Sequence, residues 1–416
     1  MNIIVLIKHS RSALLLLVLL VVGQLVWLAP ARAHTAKITA EFTPSLNNPN
    51  NRTFTNTTPL GGVCNGAHII WCTTNNVFSI ATGIGSFDGS SIKKGSGLRD
   101  HGRGSFYFDL PAQRVITVVS DAGETADLFL RIVGVAFRYG PVDSSSGLPS
   151  SLTDLRGCSE VFGNGSMIAP FRILMRNDNG AGGRSSCAYE MMAAQEMHVA
   201  AFDIIYELET PEPLNMKNGI YRATSSYTIG ALGADLDIGD EILVIRDRVL
   251  NLEFELTVNH MFALDFPPGS EAVNLQPLGG WNQWQEHGKV PATLRRDVRF
   301  RVSGSTPFSV NLNCEHTMAD GRCGISNGPS TVPLDVSINM PGFVGRTDFS
   351  IAEALNFSLK QESGPLPHFS SPREGAVFQR SSYLRFEVSG DPVKEMVLHP
   401  NTQYKGRVTV IFDANM

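Results

Sequence analysis

The sequence predicts an all-β protein built as two β-sandwich domains in tandem. Three observations carry that expectation. Apolar residues recur at every second position through much of the 416-residue chain, the period of a half-buried strand. Turn-forming stretches separate these runs, in keeping with 39 Gly and 23 Pro. Helical periodicity is scarce, and many short strands punctuated by turns point to sandwiches.

Taken in order, residues 1–33 read as an export signal and not as part of the fold. Lys8, His9 and Arg11 make a basic start, Ala13 to Leu28 is apolar, and Ala31-Arg32-Ala33 is a cleavage-type tripeptide. The expected cut lies between Ala33 and His34. A membrane-spanning helix wants about 20 apolar residues, and this run is shorter. Ile38, Ala40 and Phe42 then share a face of a first strand. Asp127 to Gly140 is apolar on both faces, as a buried strand is, with a bend expected at Gly134. Ala188 to Ala201 suits helix and strand alike.

The clearest alternation is Leu250, Leu252, Phe254, Leu256 and Val258 against Asn251, Glu253, Glu255 and Thr257. Val298 to Val302, Val332 to Ile338 and Leu384 to Val388 repeat the pattern. A polar, Gly-bearing stretch from Gly233 to Asp240 precedes the long strand. The boundary is therefore expected at Arg246–Arg248, giving domains 34–248 and 249–416.

The formal charge is −5, and removing Lys8, Arg11 and Arg32 with the signal takes it to −8. A mildly acidic surface argues against nucleic acid, whose phosphates need a basic face. The six cysteines fall into three close pairs: Cys64 with Cys72, Cys158 with Cys187, and Cys314 with Cys323. Behind an export signal, an even count reads as disulfides formed in an oxidising compartment. Sequential pairing is preferred, although other connectivities stay open. Zinc is disfavoured because C-x-x-C and H-x-x-x-H are absent.

Other constellations are weaker. Gly83 to Gly89 misses the dinucleotide fingerprint and reads as a turn. Asp235, Asp237 and Asp240 resemble a fragment of a calcium loop but lack its spacing and terminal Glu; a solvated turn is the simpler reading. Trp281, Trp284 and His287 suit packing or a subunit contact better than a sugar platform, and Trp71 is expected to pack on the Cys64–Cys72 bridge. Neither G-x-S-x-G nor H-E-x-x-H occurs, and no nucleophile, base and acid stand out together. No enzyme activity and no cofactor are expected.

The chain closes on a strand in which Gly406, Val408, Val410 and Phe412 share a face. An alternating strand of that kind suits pairing with an added strand, where main-chain bonds give affinity and alternate side chains give register. Further matching tracts are Leu252 to Val258, Val273 to Trp281, Leu384 to Val388, Val393 to Met396, Tyr404 to Phe412, and Gly219 to Gly230. On these the C-terminal part resembles the CblD-like minor pilins, the tip subunits of alpha (class 5) chaperone–usher fimbriae. The likeness runs from about Pro211 to the end; upstream it rests on the signal, the cysteines and the strand content.

That resemblance implies an N-terminal adhesin domain and a C-terminal pilin domain. The pilin domain would be an incomplete immunoglobulin-like sandwich, completed by a donor strand. The implied partners are a periplasmic pilus chaperone, an outer-membrane usher, a major pilin subunit donating its N-terminal strand, and a host-surface glycan or glycoprotein receptor. The implied location is the fimbrial tip, reached through the periplasm. A non-adhesive initiator or cap, or a free secreted carbohydrate-binding protein, are the alternatives. Some tip adhesins of this group cluster arginines on the strand before the linker; Ser225 to Leu232 carries none.

Overall fold

The computed structural model describes residues 32–48, 50–65, 68–82, 87–92, 103, 106–141, 155–156, 158–166, 169–177, 184–189, 195–240, 247–347, 351–361, 366–371 and 375–414. The fold is all-β, as expected, with two hydrophobic cores. The expected export signal, residues 1–33, lies outside the described residues, apart from Arg32 and Ala33.

Seven of the strands around the first core are β1 (Arg32–Phe42), β2 (Phe78–Ala81), β3 (Arg114–Ser120), β4 (Thr125–Pro141), β5 (Gln195–Glu209), β6 (Gly219–Gly230) and β7 (Asp247–Val258). In space they run β2–β5–β4–β3–β6–β7–β1. Every neighbouring pair is antiparallel except β1 and β7, which run parallel with Ile38 opposite Phe254 and Phe42 opposite Val258. A parallel pair needs a long crossover, and here it is nearly the whole first half of the chain.

The bend expected at Gly134 is a one-residue bulge. Pairing steps from Ile205 opposite Gly134 to Tyr206 opposite Ile132, skipping Val133. A bulge re-aims a side chain; Val133 is buried in a small satellite core with Cys64, Cys72 and Ile205. The Cys64–Cys72 bridge is formed, and Trp71 packs against that core as expected. The side chains of Cys158 and Cys187 lie outside the described residues. Ser185–Tyr189 and Gln195–Glu209 are strands, while 190–194 lie outside the described residues.

The expected boundary at 248/249 is corrected by the pairing. Leu250, Leu252, Phe254, Leu256 and Val258 are all buried in the first core, between β6 and β1. The strand that was to open the second domain therefore closes the first. The chain passes from one core to the other between Val258 and Phe262.

The second core lies between two sheets. Its main strands are β8 (Phe262–Asp265), β9 (Gln276–Pro277), β10 (Thr293–Gly304), β11 (Phe308–Cys314), β12 (Cys323–Ser326), β13 (Thr331–Asn339), β14 (Val344–Arg346), β15 (His368–Ser370), β16 (Val377–Ser389) and β17 (Val408–Ala414). One sheet runs β8–β10–β16–β13–β12, with β9 also on β10; the other runs β14–β15–β11–β17. Inward residues of both, such as Phe300, Leu384 and Val336 facing Phe308, Val310 and Phe369, fill the space between. This is a two-layer sandwich.

At the junction His260 is buried. Its Nε2 donates to the Met216 carbonyl (2.7 Å), so Nδ1 accepts from the Ser305 hydroxyl (3.1 Å). The Asn259 N–H donates to Phe42 O, and the Met261 N–H donates to Ser305 Oγ. Three successive residues thus tie both cores to one short segment.

Candidate functional site

The site builds up from β17. Its seven residues pair in unbroken antiparallel register with β11, from Val408 opposite Cys314 to Ala414 opposite Phe308. Among the described residues nothing pairs with its other side, so β17 is an edge strand with unmet N–H and C=O groups.

Three of the four residues expected to share its inward face do so. Val408, Val410 and Phe412 are half-buried, while Thr409, Ile411 and Asp413 are exposed. Phe412 reaches the core edge, 5.8 Å from the Phe300 ring and 6.2 Å from Phe308. Gly406 is different. It lies before β17, where Lys405 exchanges two backbone hydrogen bonds with Ser326 of the opposite sheet. The chain crosses from one sheet to the other at this point, and Gly406 makes the crossing sterically possible.

Beside β17 the sandwich is open. A groove of about 1140 Å³ runs between the sheets, with Leu334, Leu384 and Phe386 on one side and Val408, Val410 and Phe412 on the other. Leu264, Val273 and Leu275 line it further along, and Trp281 and Trp284 stand at the same groove from the short helix α1 (Asn282–His287) and its N-cap. Trp281 remains 36% exposed. Both tryptophans therefore line this groove rather than pack in the core. Apolar side chains left around an open channel are unusual on a finished surface. The Tyr404 hydroxyl, also at the groove, is buried with no hydrogen-bond partner among the described residues.

The Cys314–Cys323 bridge is formed, as expected. Cys314 ends β11 and Cys323 begins β12, so the bridge joins the two sheets where β17 starts. Separation of sheets at that end of the groove is thereby limited. The sequence alone pointed to a small disulfide loop; the cross-sheet role needed the topology.

The aspartates set beside a calcium loop are already taken. Arg103 holds Asp237 (2.7 and 3.1 Å) and Asp240 (2.7 and 3.0 Å) through paired contacts, and Arg114 holds Asp235 while its guanidinium lies 4.0 Å from the Tyr227 ring centroid. Side-chain bonds to these carboxylates push the Arg103 guanidinium further up from its already high value. The turn is pinned by ion pairs, two of its three acids being half-buried or buried, and is not the freely solvated turn expected. Ala33 and His34 lie in β1, opposite Val249 and Leu250, so the expected cleavage between them would leave the strand intact from His34 onward.

No family model matches the chain, and no curated protein matches it. Among solved structures it aligns with the CsuC–CsuE chaperone–tip adhesion subunit pre-assembly complex from archaic chaperone–usher Csu pili of Acinetobacter baumannii. The identity is 10%, the coverage 92% of this chain and 98% of that chain, and the TM-score 0.22. A TM-score this low carries no argument about function. The class of protein is set by its own geometry: an all-β chain whose second sandwich is open beside an edge strand.

Proposed function

We propose that the chain is a tip subunit of a chaperone–usher pilus, assembled by donor-strand exchange. The observation that carries this reading is the conjunction of an unpaired β17 edge with an open apolar groove beside it. Each feature is an aggregation hazard, and one added strand relieves both. It pairs its backbone with β17 and inserts alternate side chains between Leu384 and Val410. A periplasmic chaperone supplies that strand first, and the N-terminal strand of a major pilin replaces it at the outer-membrane usher.

The position at the tip is supported by β1. That strand is committed to the chain's own first core, with Ile38, Ala40 and Phe42 buried. A strand so engaged is not available to fill another subunit's groove. The first core, ending at Val258, is the part we assign to receptor contact at the cell surface, with a glycan or glycoprotein as receptor. Failure of that core to bind glycans or cells would leave a non-adhesive initiator.

The test is co-expression of the chain with the periplasmic pilus chaperones of its host. A stable one-to-one complex is expected, with those amides of Val408–Ala414 that point away from β11 protected from hydrogen exchange only in the complex. A soluble, monomeric chain with those amides already protected, in the absence of any added strand, overturns the proposal.

A further inference from the structure

A second cleft lies on the same half of the molecule. β8 pairs with β10 from Arg301 to Gly304, and β9 pairs with it at Leu294 and Arg295. Between these, from Arg296 to Phe300, β10 has no partner on that side among the described residues. The connecting chain contains Pro267 and Pro268, which cannot donate to a ladder. It bows away and leaves an open cleft of about 670 Å³, lined by Ser270, Gln276, Arg295, Arg296, Arg299 and Tyr383 among others.

The cleft is cationic within an acidic protein. Asp297 also lines it, but Arg385 holds that carboxylate with bonds of 2.8 and 3.1 Å. Arg295 and Arg299 stand on either side of Asp297, about 13 Å apart along the strand. Glu387 lies across the ladder from Arg295. Among the described residues no carboxylate forms an ion pair with Arg295, Arg296 or Arg299. On the outer face three guanidinium groups, those of Arg295, Arg299 and Arg385, thus meet two carboxylates. The Arg385 bond, with Arg295 and Arg299 adding to it, holds the Asp297 carboxyl below the usual carboxylate range.

We infer that this cleft binds an anionic saccharide, its sulfate or carboxylate seated between Arg295 and Arg299, which share the outer face of β10. The guanidinium fork matches the geometry of an oxyanion. Ser270, Gln276 and the unpaired backbone of β10 offer donors and acceptors to sugar hydroxyls. The volume falls within the range of about 300–1,000 Å³ usual for small-ligand sites. The lining is too polar for a lipid chain. The cleft and the groove beside β17 share Ser270 and Val298, but Arg295 and Arg299 line the cleft alone, so the anion contacts do not rest on the assembly reading.

The experiment titrates the full chain, purified alone or with its chaperone, with three probes: a sulfated heparin disaccharide, its unsulfated counterpart and inorganic sulfate. The sulfated disaccharide is expected to bind, more weakly as salt rises, and at least tenfold more weakly in Arg295→Gln and Arg299→Gln. Arg295 is half-buried and Arg299 exposed, and melting curves check that the variants fold. Should they not, Arg299→Lys keeps the charge, loses the fork and is expected to weaken binding. Unchanged affinity in a folded variant, equal binding of the unsulfated disaccharide, or no binding of the sulfated one overturns the inference. Inorganic sulfate binding as tightly as the disaccharide overturns the saccharide and leaves a bare anion site.

Discussion

A Cβ placed on Gly406 would sit 2.8 Å from the carbonyl oxygen of Gly324, on the facing sheet. That approach is closer than real Cβ atoms make, and the obstacle is backbone, which cannot swing aside. It occurs where the chain crosses between sheets, one residue after the Lys405–Ser326 bridge and two before β17 begins. The entry of β17 along its groove therefore depends on a residue without a side chain.

Gly406→Ala is expected to destabilise the second sandwich by about 1–3 kcal/mol, the usual cost of forcing atoms into a filled site. Urea unfolding of the chaperone-bound or free chain measures it. A variant as stable as the parent would show that the crossing relaxes without cost.

Phe412→Glu places a carboxylate at the groove between Phe300 and Phe308. Capture by the chaperone should fall sharply, since an added strand would bury that charge without a partner. Thr409→Glu, on the exposed face of the same strand, serves as the control and should leave capture nearly intact. Equal recovery of the Phe412→Glu and parent complexes would count against the groove as the docking site.

Removing the cross-sheet bridge by Cys314→Ala with Cys323→Ala should cost about 2–4 kcal/mol, as loss of a short-loop disulfide commonly does. The loss should fall on the second core, so limited proteolysis is expected to cut after Phe262 before it cuts the first core. Cleavage beginning in the first core would contradict the division at Val258–Phe262.

Burial pushes the His260 imidazole below its ordinary value, outweighing the bond from Nε2 to the Met216 carbonyl, which favours the charged form. The sign follows from linkage: the unfolded chain takes up the proton first, near the ordinary value of about 6.5. The stability contribution is thus whole above that pH and is lost as pH falls through the lower folded value. Urea melts at pH 7.5 and 5 should show a larger acid-induced loss in the parent chain than in His260→Gln. Equal losses would place the pH dependence elsewhere.

Much of the architecture was legible as sequence. Alternation identified the strands at Leu250–Val258, Val298–Val302, Val332–Ile338 and Val408–Phe412, because a pleated strand with one buried face leaves a period of two. The pairings of Cys64 with Cys72 and Cys314 with Cys323 followed from closeness in the chain. The Ala188–Ala201 tract was not legible, since its composition suits helix and strand equally and only pairing with neighbouring strands selects one.

Alternation states which face of a strand is buried, never against what. Leu250–Val258 therefore looked the same whether it opened the second core or closed the first; its parallel partner, more than 200 positions upstream in β1, decided the matter. Likewise Val408, Val410 and Phe412 marked an inward face, but whether the strand lies inside a sheet or at its edge is set by which strands reach it. Gly406 was read in phase with them because phase is all a sequence displays. The backbone of Gly324, far away in the chain and pressed against it in space, gives that glycine its separate role. Strand identity is a local property of the chain, whereas partners, edges and open grooves arise from contacts between distant segments, and only the tertiary structure holds those.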